Sequence, residues 1–115
     1  MKKFIKSFGY AFKGLGAAWK EQRNLKVQAV VGILVIMAGF YFQIHTMEWY
    51  VILIVIGIVI SLELVNTALE NLVNLVTKEH LPLAGKIKDV AAGAVLMFSI
   101  IAAIIGILIF GKYIL

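Results

Sequence analysis

The sequence predicts an all-α integral membrane protein: an N-terminal amphipathic surface helix followed by three transmembrane helices. Three observations carry this. The chain has 115 residues, of which 63% are hydrophobic and only 15% charged. A soluble domain this small leaves too much of its area exposed to hide that much apolar surface, so lipid is the solvent that suits it. Three long stretches are nearly free of charge: 27–44, 49–69 and 90–110. Each is long enough to cross a hydrocarbon core of ~30 Å at ~1.5 Å per helical residue. The formal charge of +5 is concentrated rather than spread, with Lys2, Lys3, Lys6, Lys13, Lys20, Arg23 and Lys26 all preceding the first apolar stretch.

The elements follow in order within one domain, 1–115. Residues 1–26 form the predicted surface helix. Phe4, Ile5, Phe8, Ala11, Phe12, Leu15 and Trp19 fall on one side of a helical wheel, and Lys2, Lys6, Lys13 and Lys20 on the other. That pattern suits a helix lying in the bilayer interface. Gly9, Gly14 and Gly16 weaken it in isolation, so it needs the membrane or a partner helix. The first span is joined to the second by a short connection, His45 to Glu48. A longer connection with the lone proline, Thr77 to Asp89, leads to the third. The second connection carries Lys78, Lys86 and Lys88 and the first carries no lysine or arginine, so the positive-inside rule places the N-terminus in the cytoplasm. A basic arm beside a membrane span points to anionic lipid rather than nucleic acid. No cleavable signal peptide is expected, because a basic, aromatic segment precedes the first apolar stretch. With no cysteine and two distant histidines, disulfides are excluded and a histidine zinc site is disfavoured.

The second span holds polar residues where lipid disfavours them. Glu63, Asn66, Thr67, Glu70 and Asn74 are spaced at 0, 3, 4, 7 and 11 and share one helical stripe. An acid at the bilayer centre costs at least ~2.5–3.5 kcal/mol on insertion scales. Glu63 and Glu70 are two turns apart, roughly 10 Å along the axis, and so could serve opposite ends of a transferring phosphoryl group. Lys88 and Asp89 stand at the same level at the mouth of the third span. Lys88 could neutralise phosphate oxygens, and Asp89 has a plain alternative as a helix N-cap. Three readings of the stripe remain open: interhelical hydrogen bonding, ion transport through an intramembrane carboxylate in a small oligomeric transporter or channel subunit, and catalysis. There is neither a P-loop nor a protein-kinase catalytic loop.

Glu63-Leu64-Val65-Asn66-Thr67-Ala68-Leu69-Glu70 resembles the E-x-x-N-[ST]-A-[IL]-E signature of the prokaryotic diacylglycerol kinase and undecaprenol kinase family. Lys88-Asp89-Val90-Ala91-Ala92-Gly93-Ala94-Val95-Leu96 resembles its second signature, and Gly9 to Leu15 its surface helix. The resemblance implies a homotrimer in the bacterial cell membrane that uses ATP with Mg²⁺ to phosphorylate a membrane lipid alcohol. It implies that Glu63 orients the lipid hydroxyl or removes its proton, with Asn66 close to the phosphates. Glu70 would bind the metal and nucleotide. Lys88 and Asp89 would contact the nucleotide, with Tyr10 and Glu79 assisting. Two positions depart from the pattern. The family's second metal-binding glutamate aligns with Gln22, while the acid here is Glu21, one residue earlier; the family's Asp aligns with Asn74. The stretch 88–96 and Arg23-Asn24 resemble the Gram-positive branch, which favours undecaprenol over diacylglycerol as acceptor.

Overall fold

The apolar stretches 49–69 and 90–110 lie inside longer helices, whereas the helix of the first stretch starts earlier than 27 and stops at Phe42, short of the expected 44. The computed structural model describes residues 1–115 and contains four helices: α1 (Lys2–Glu21), α2 (Arg23–Phe42), α3 (Thr46–Val76) and α4 (Pro82–Ile114). At ~1.5 Å per residue, α2 is about 30 Å long, while α3 and α4 are roughly 46 and 50 Å. The two long helices therefore exceed a hydrocarbon core of ~30 Å and carry their polar residues beyond it. The three helices α2, α3 and α4 are long and apolar enough to cross a membrane. They fit a multi-pass membrane protein.

The packing is that of a chain meant for lipid or for partners. Only 14 of 115 residues are buried, so most large apolar side chains, Leu53, Met97 and Ile107 among them, face outward. Inside water such a surface would aggregate; inside acyl chains it is already solvated. The small core lies towards one end, where Ile44, Ile52 and Ile109 pack with Phe42, Trp49 and Phe110. Helices α3 and α4 form the most extensive contact, α2 leans on α3, and α1 touches both α2 and α3.

The junctions decide where the functional side chains go. The expected 1–26 helix is divided: α1 stops at Glu21, and Gln22 takes an extended backbone, φ −109° and ψ 109°. Arg23 and Lys26 consequently belong to α2. Neither glycine nor proline marks this break. At the other end of α2, Gln43 adopts a left-handed backbone with φ 50°. The Ile44 N–H returns to the Gly39 carbonyl and the Gln43 N–H to Phe40, a Schellman closure of the last turn. Gly39 must be small here, because a Cβ would lie 2.6 Å from the Trp49 ring. Helix α3 opens with the Glu48 carboxylate accepting the His45 N–H at 3.0 Å, half of a capping box.

Helix α4 begins at Pro82, with Leu81 as its N-cap. Proline suits the first helical turn because its missing N–H would be unpaired there anyway. This corrects the N-cap reading of Asp89, which lies two turns inside the helix. The α3–α4 connection shrinks to residues 77–81.

Candidate active site

The polar stripe of α3 meets the α1–α2 junction. Glu63 is the most deeply buried large side chain in the protein, 2% exposed. Its Oε2 accepts a hydrogen bond from Asn24 Nδ2 at 3.2 Å. Thr67, one turn on, satisfies its own hydroxyl by donating to the Glu63 carbonyl at 2.9 Å. No cation lies within ion-pairing distance of Glu63, since the chain's one ion pair involves Lys112 and Glu48. A carboxylate in an apolar helix bundle is thus met by a neutral amide alone.

Glu70 stands two turns further along, half-buried. Its Oε2 accepts Gln22 Nε2 at 3.1 Å and its Oε1 accepts Asn66 Nδ2 at 3.3 Å. The extended backbone of Gln22 makes the first contact possible: it ends α1 and directs this side chain across to α3. Asn66 is buried, and its Oδ1 has no donor. An orphaned buried carbonyl oxygen costs roughly 1–3 kcal/mol unless something fills its place. Here it sits on the residue that also binds Glu70.

The remaining residues of interest distribute unevenly. Glu21 turns away from Glu70 and accepts Asn71 Nδ2 at 3.2 Å on the exposed side. Gln22, the aligned position, is the one that faces Glu70. Lys88 reaches from α4 to α3 and donates to Asn74 Oδ1 at 2.6 Å. Asp89 beside it is exposed, as are Tyr10 and Glu79. Glu79 lies in the short α3–α4 connection, with its N–H donating to Thr77 Oγ1. None of these three hydrogen-bonds to Glu63 or Glu70. Asn24 entered the sequence reasoning only through the resemblance of Arg23-Asn24 to one branch of the family, with no role at Glu63; the contact across α2 and α3 is what the structure adds.

The donor set suits a hard divalent cation. Mg²⁺ takes oxygen ligands, often one or two carboxylates together with substrate phosphates and water. The Glu70 carboxylate supplies that chemistry; the Gln22 and Asn66 amides beside it now present N–H groups to the carboxylate, and each would offer its oxygen to a cation only after turning its amide over. No three acidic or imidazole groups come together anywhere in the chain, so a cage made by protein alone is absent.

Comparison with known proteins gives the family. The chain is 43% identical over 110 residues to an undecaprenol kinase of Bacillus subtilis, covering 96% of this chain and 89% of that one. It is 40% identical to a diacylglycerol kinase of Synechocystis, over 87% of this chain and 58% of the relative. A diacylglycerol kinase of Escherichia coli is 28% identical over 89% of this chain and 84% of its own. The family profile described as prokaryotic diacylglycerol kinase matches residues 9–110, which takes in the α1–α2 junction, the stripe of α3 and the Lys88-Asp89 pair: the chain belongs to the prokaryotic diacylglycerol kinase family.

Proposed function

We propose that this chain is a membrane lipid kinase that transfers the γ-phosphate of ATP to the hydroxyl of undecaprenol. The observation that carries the reading is a buried carboxylate, Glu63, held by an amide alone. One turn away stands the Asn66 amide and two turns away the Glu70 carboxylate. Lipid alcohols and nucleotides arrive from different phases, and a site at the end of a helix bundle is open to both. The similarity to the B. subtilis undecaprenol kinase supports the acceptor; diacylglycerol, the acceptor named for the Synechocystis and E. coli relatives, is the second reading.

In the reaction, the lipid oxygen forms a bond to the γ-phosphorus as the bond to the β–γ bridging oxygen breaks, and ADP leaves. The hydroxyl proton passes to the Glu63 carboxylate. Asn24 fixes that carboxylate by its hydrogen bond to Oε2. A hydroxyl is so weak an acid that its proton leaves late in the transfer, and positioning contributes more than proton removal. Glu70, Asn66 and Gln22 would hold Mg²⁺, which neutralises phosphate charge when bound. Lys88 is kept near the end of α3 by Asn74 and offers its ammonium to phosphate oxygens. Asp89, Tyr10 and Glu79 contact the nucleotide from the rim, while Glu21 is too far round α1 for this role.

In the same reading, α1 lies amphipathically on the cytoplasmic face and its lysines meet anionic lipid. Three chains assemble as a homotrimer in the cell membrane, which covers apolar surface that a lone bundle leaves exposed.

The test is transfer of labelled γ-phosphate to undecaprenol and to diacylglycerol, side by side, in detergent with Mg²⁺. Strong labelling of undecaprenol is expected. Preference for diacylglycerol would keep the chemistry and change the acceptor, and labelling of neither by folded protein would favour ion transport through Glu63.

A further inference from the structure

A hydroxyl side chain inside a helix can donate to the carbonyl four residues back, as Ser7 donates to Lys3 and Thr67 to Glu63. Ser99, in the middle of α4, does not. Its Oγ is shut off from solvent and has no hydrogen-bond partner. Hydrocarbon supplies no water to replace the missing bond, so a free hydroxyl at that depth is costly. Its partner has to come from outside the chain.

The position of Ser99 says which partner. Two contacts fix the register of the antiparallel pair α3 and α4: Asn74 with Lys88 at one end, and Glu48 with Lys112 at the other. Glu63 lies eleven residues before Asn74, and Ser99 eleven after Lys88. The two therefore stand at one depth in the bundle. A cavity of about 300 Å³ runs between α2, α3 and α4. At its Glu63 end it is bounded by Asn24 on α2, Ile60 on α3 and Ser99 on α4. Asn24 is the residue that donates to Glu63 Oε2. Ser99 and the amide that holds the buried carboxylate thus line the same end of one open space.

We propose that Ser99 is a second contact to the acceptor hydroxyl: its Oγ–H donates to the alcohol oxygen whose proton Glu63 accepts. The inference rests on the kinase reading above. An alcohol oxygen has one proton and two lone pairs. The proton goes to Glu63, whose Oε1 is left for it by Asn24 on Oε2. One lone pair forms the bond to the γ-phosphorus as the bond to the β–γ bridging oxygen breaks. The other accepts the Ser99 hydrogen bond, and Ser99 keeps its own proton throughout. Without this second contact the hydroxyl turns freely about its C–O bond and can point its proton away from Glu63. Ser99 sets that orientation, and orientation is a large part of what a phosphoryl-transfer site contributes.

The experiment measures labelled-phosphate transfer to undecaprenol and a melting curve for wild type, Ser99→Ala and Ser99→Thr. Alanine is the better helix former and removes an unpaired buried hydroxyl. Ser99→Ala should therefore hold or raise Tm. In the same variant kcat/KM for undecaprenol should fall about three- to tenfold, the worth of one neutral hydrogen bond, with KM for ATP unmoved. Threonine keeps the hydroxyl and should restore most of kcat/KM. Ser61→Ala, at an exposed serine on α3, should change neither quantity.

Wild-type kcat/KM in Ser99→Ala overturns the proposal. So does a lower Tm or an altered oligomer size in that variant, because the hydroxyl would then be bonded to another copy of the chain. Threonine behaving as alanine, or an equal loss in Ser61→Ala, also overturns it. Labelling of no lipid alcohol by the wild type would remove the kinase reading itself.

Discussion

Helix α3 buries two glutamates, about 22 Å apart along its axis, and treats them oppositely. Glu48, at its start, is met by Lys112 Nζ at 2.6 Å, by the Tyr113 hydroxyl and by the His45 N–H. Glu63 is met by one side chain, the neutral amide of Asn24. The first charge is balanced within the protein, and its contacts join the start of α3 to the end of α4. The second has no internal counter-charge. Buried charges are ordinarily paired, so the unbalanced one is held for something that arrives. The difference teaches that burial of an acid is a weak sign of function and the nature of its partners a stronger one.

The largest effect should come from Glu63→Gln. This change keeps the shape and an acceptor oxygen for Asn24 but removes the base. Turnover is expected to fall by about 10²–10⁴-fold, the range of a lost general base, with thermal stability held or raised because a buried charge has gone. Labelled-phosphate transfer and a melting curve on the same sample check both halves. Loss of the folded oligomer in place of loss of turnover would make Glu63 a scaffold residue like Glu48.

The converse change, Glu48→Gln, should lower Tm by a few degrees and leave turnover per folded protein intact. It removes the charge that holds the half-exposed Lys112 ammonium and leaves one amide oxygen, a weaker acceptor, for the Tyr113 hydroxyl and the His45 N–H. Lys112→Met in the same background should cost less than it does alone, as coupling across the pair requires. A kinetic defect in correctly folded Glu48→Gln would dissolve the contrast between the two ends.

A smaller effect belongs to Gln22. Gln22→Glu restores a second carboxylate beside Glu70, so the Mg²⁺ concentration for half-maximal activity should fall several-fold. Glu70→Gln should raise it. Glu21→Ala should move it little, because Glu21 faces Asn71. Mg²⁺ titrations of initial rate separate the three, and a larger response from Glu21 than from Gln22 would return the metal role to the acid.

Much of this was legible in the sequence, and the boundary has physical causes. Charge-free runs of spanning length mark helices strongly, and the regular interior of α3 made its polar stripe readable from spacing alone. Helix ends were harder. The break at Gln22 carries no glycine or proline, because a tertiary contact with Glu70 accompanies it in place of a local propensity. Pro82 was visible but assigned to a loop, and in the structure it opens α4. Partners across helices were not legible at all. Asn24 meets Glu63 across 39 residues of chain and Glu48 meets Tyr113 across 65, separations on which local pattern is silent.

The mildest prediction isolates the scaffold end. Gln43 closes α2 in the left-handed region, with φ 50°, and is the only non-glycine residue with positive φ. A side chain there costs roughly 1–2 kcal/mol relative to the right-handed form, while glycine adds about 0.5–1 kcal/mol of chain entropy on folding. Gln43→Gly should therefore stabilise by about 0.5–1 kcal/mol, the Schellman bonds to Gly39 and Phe40 being made by backbone and thus retained. A Tm gain of a few degrees with unchanged kcat and unchanged Mg²⁺ dependence is the expected result. An altered kcat would mean that the Glu48 end communicates with the Glu63 end, and the two ends of α3 would then have to be treated as one coupled element.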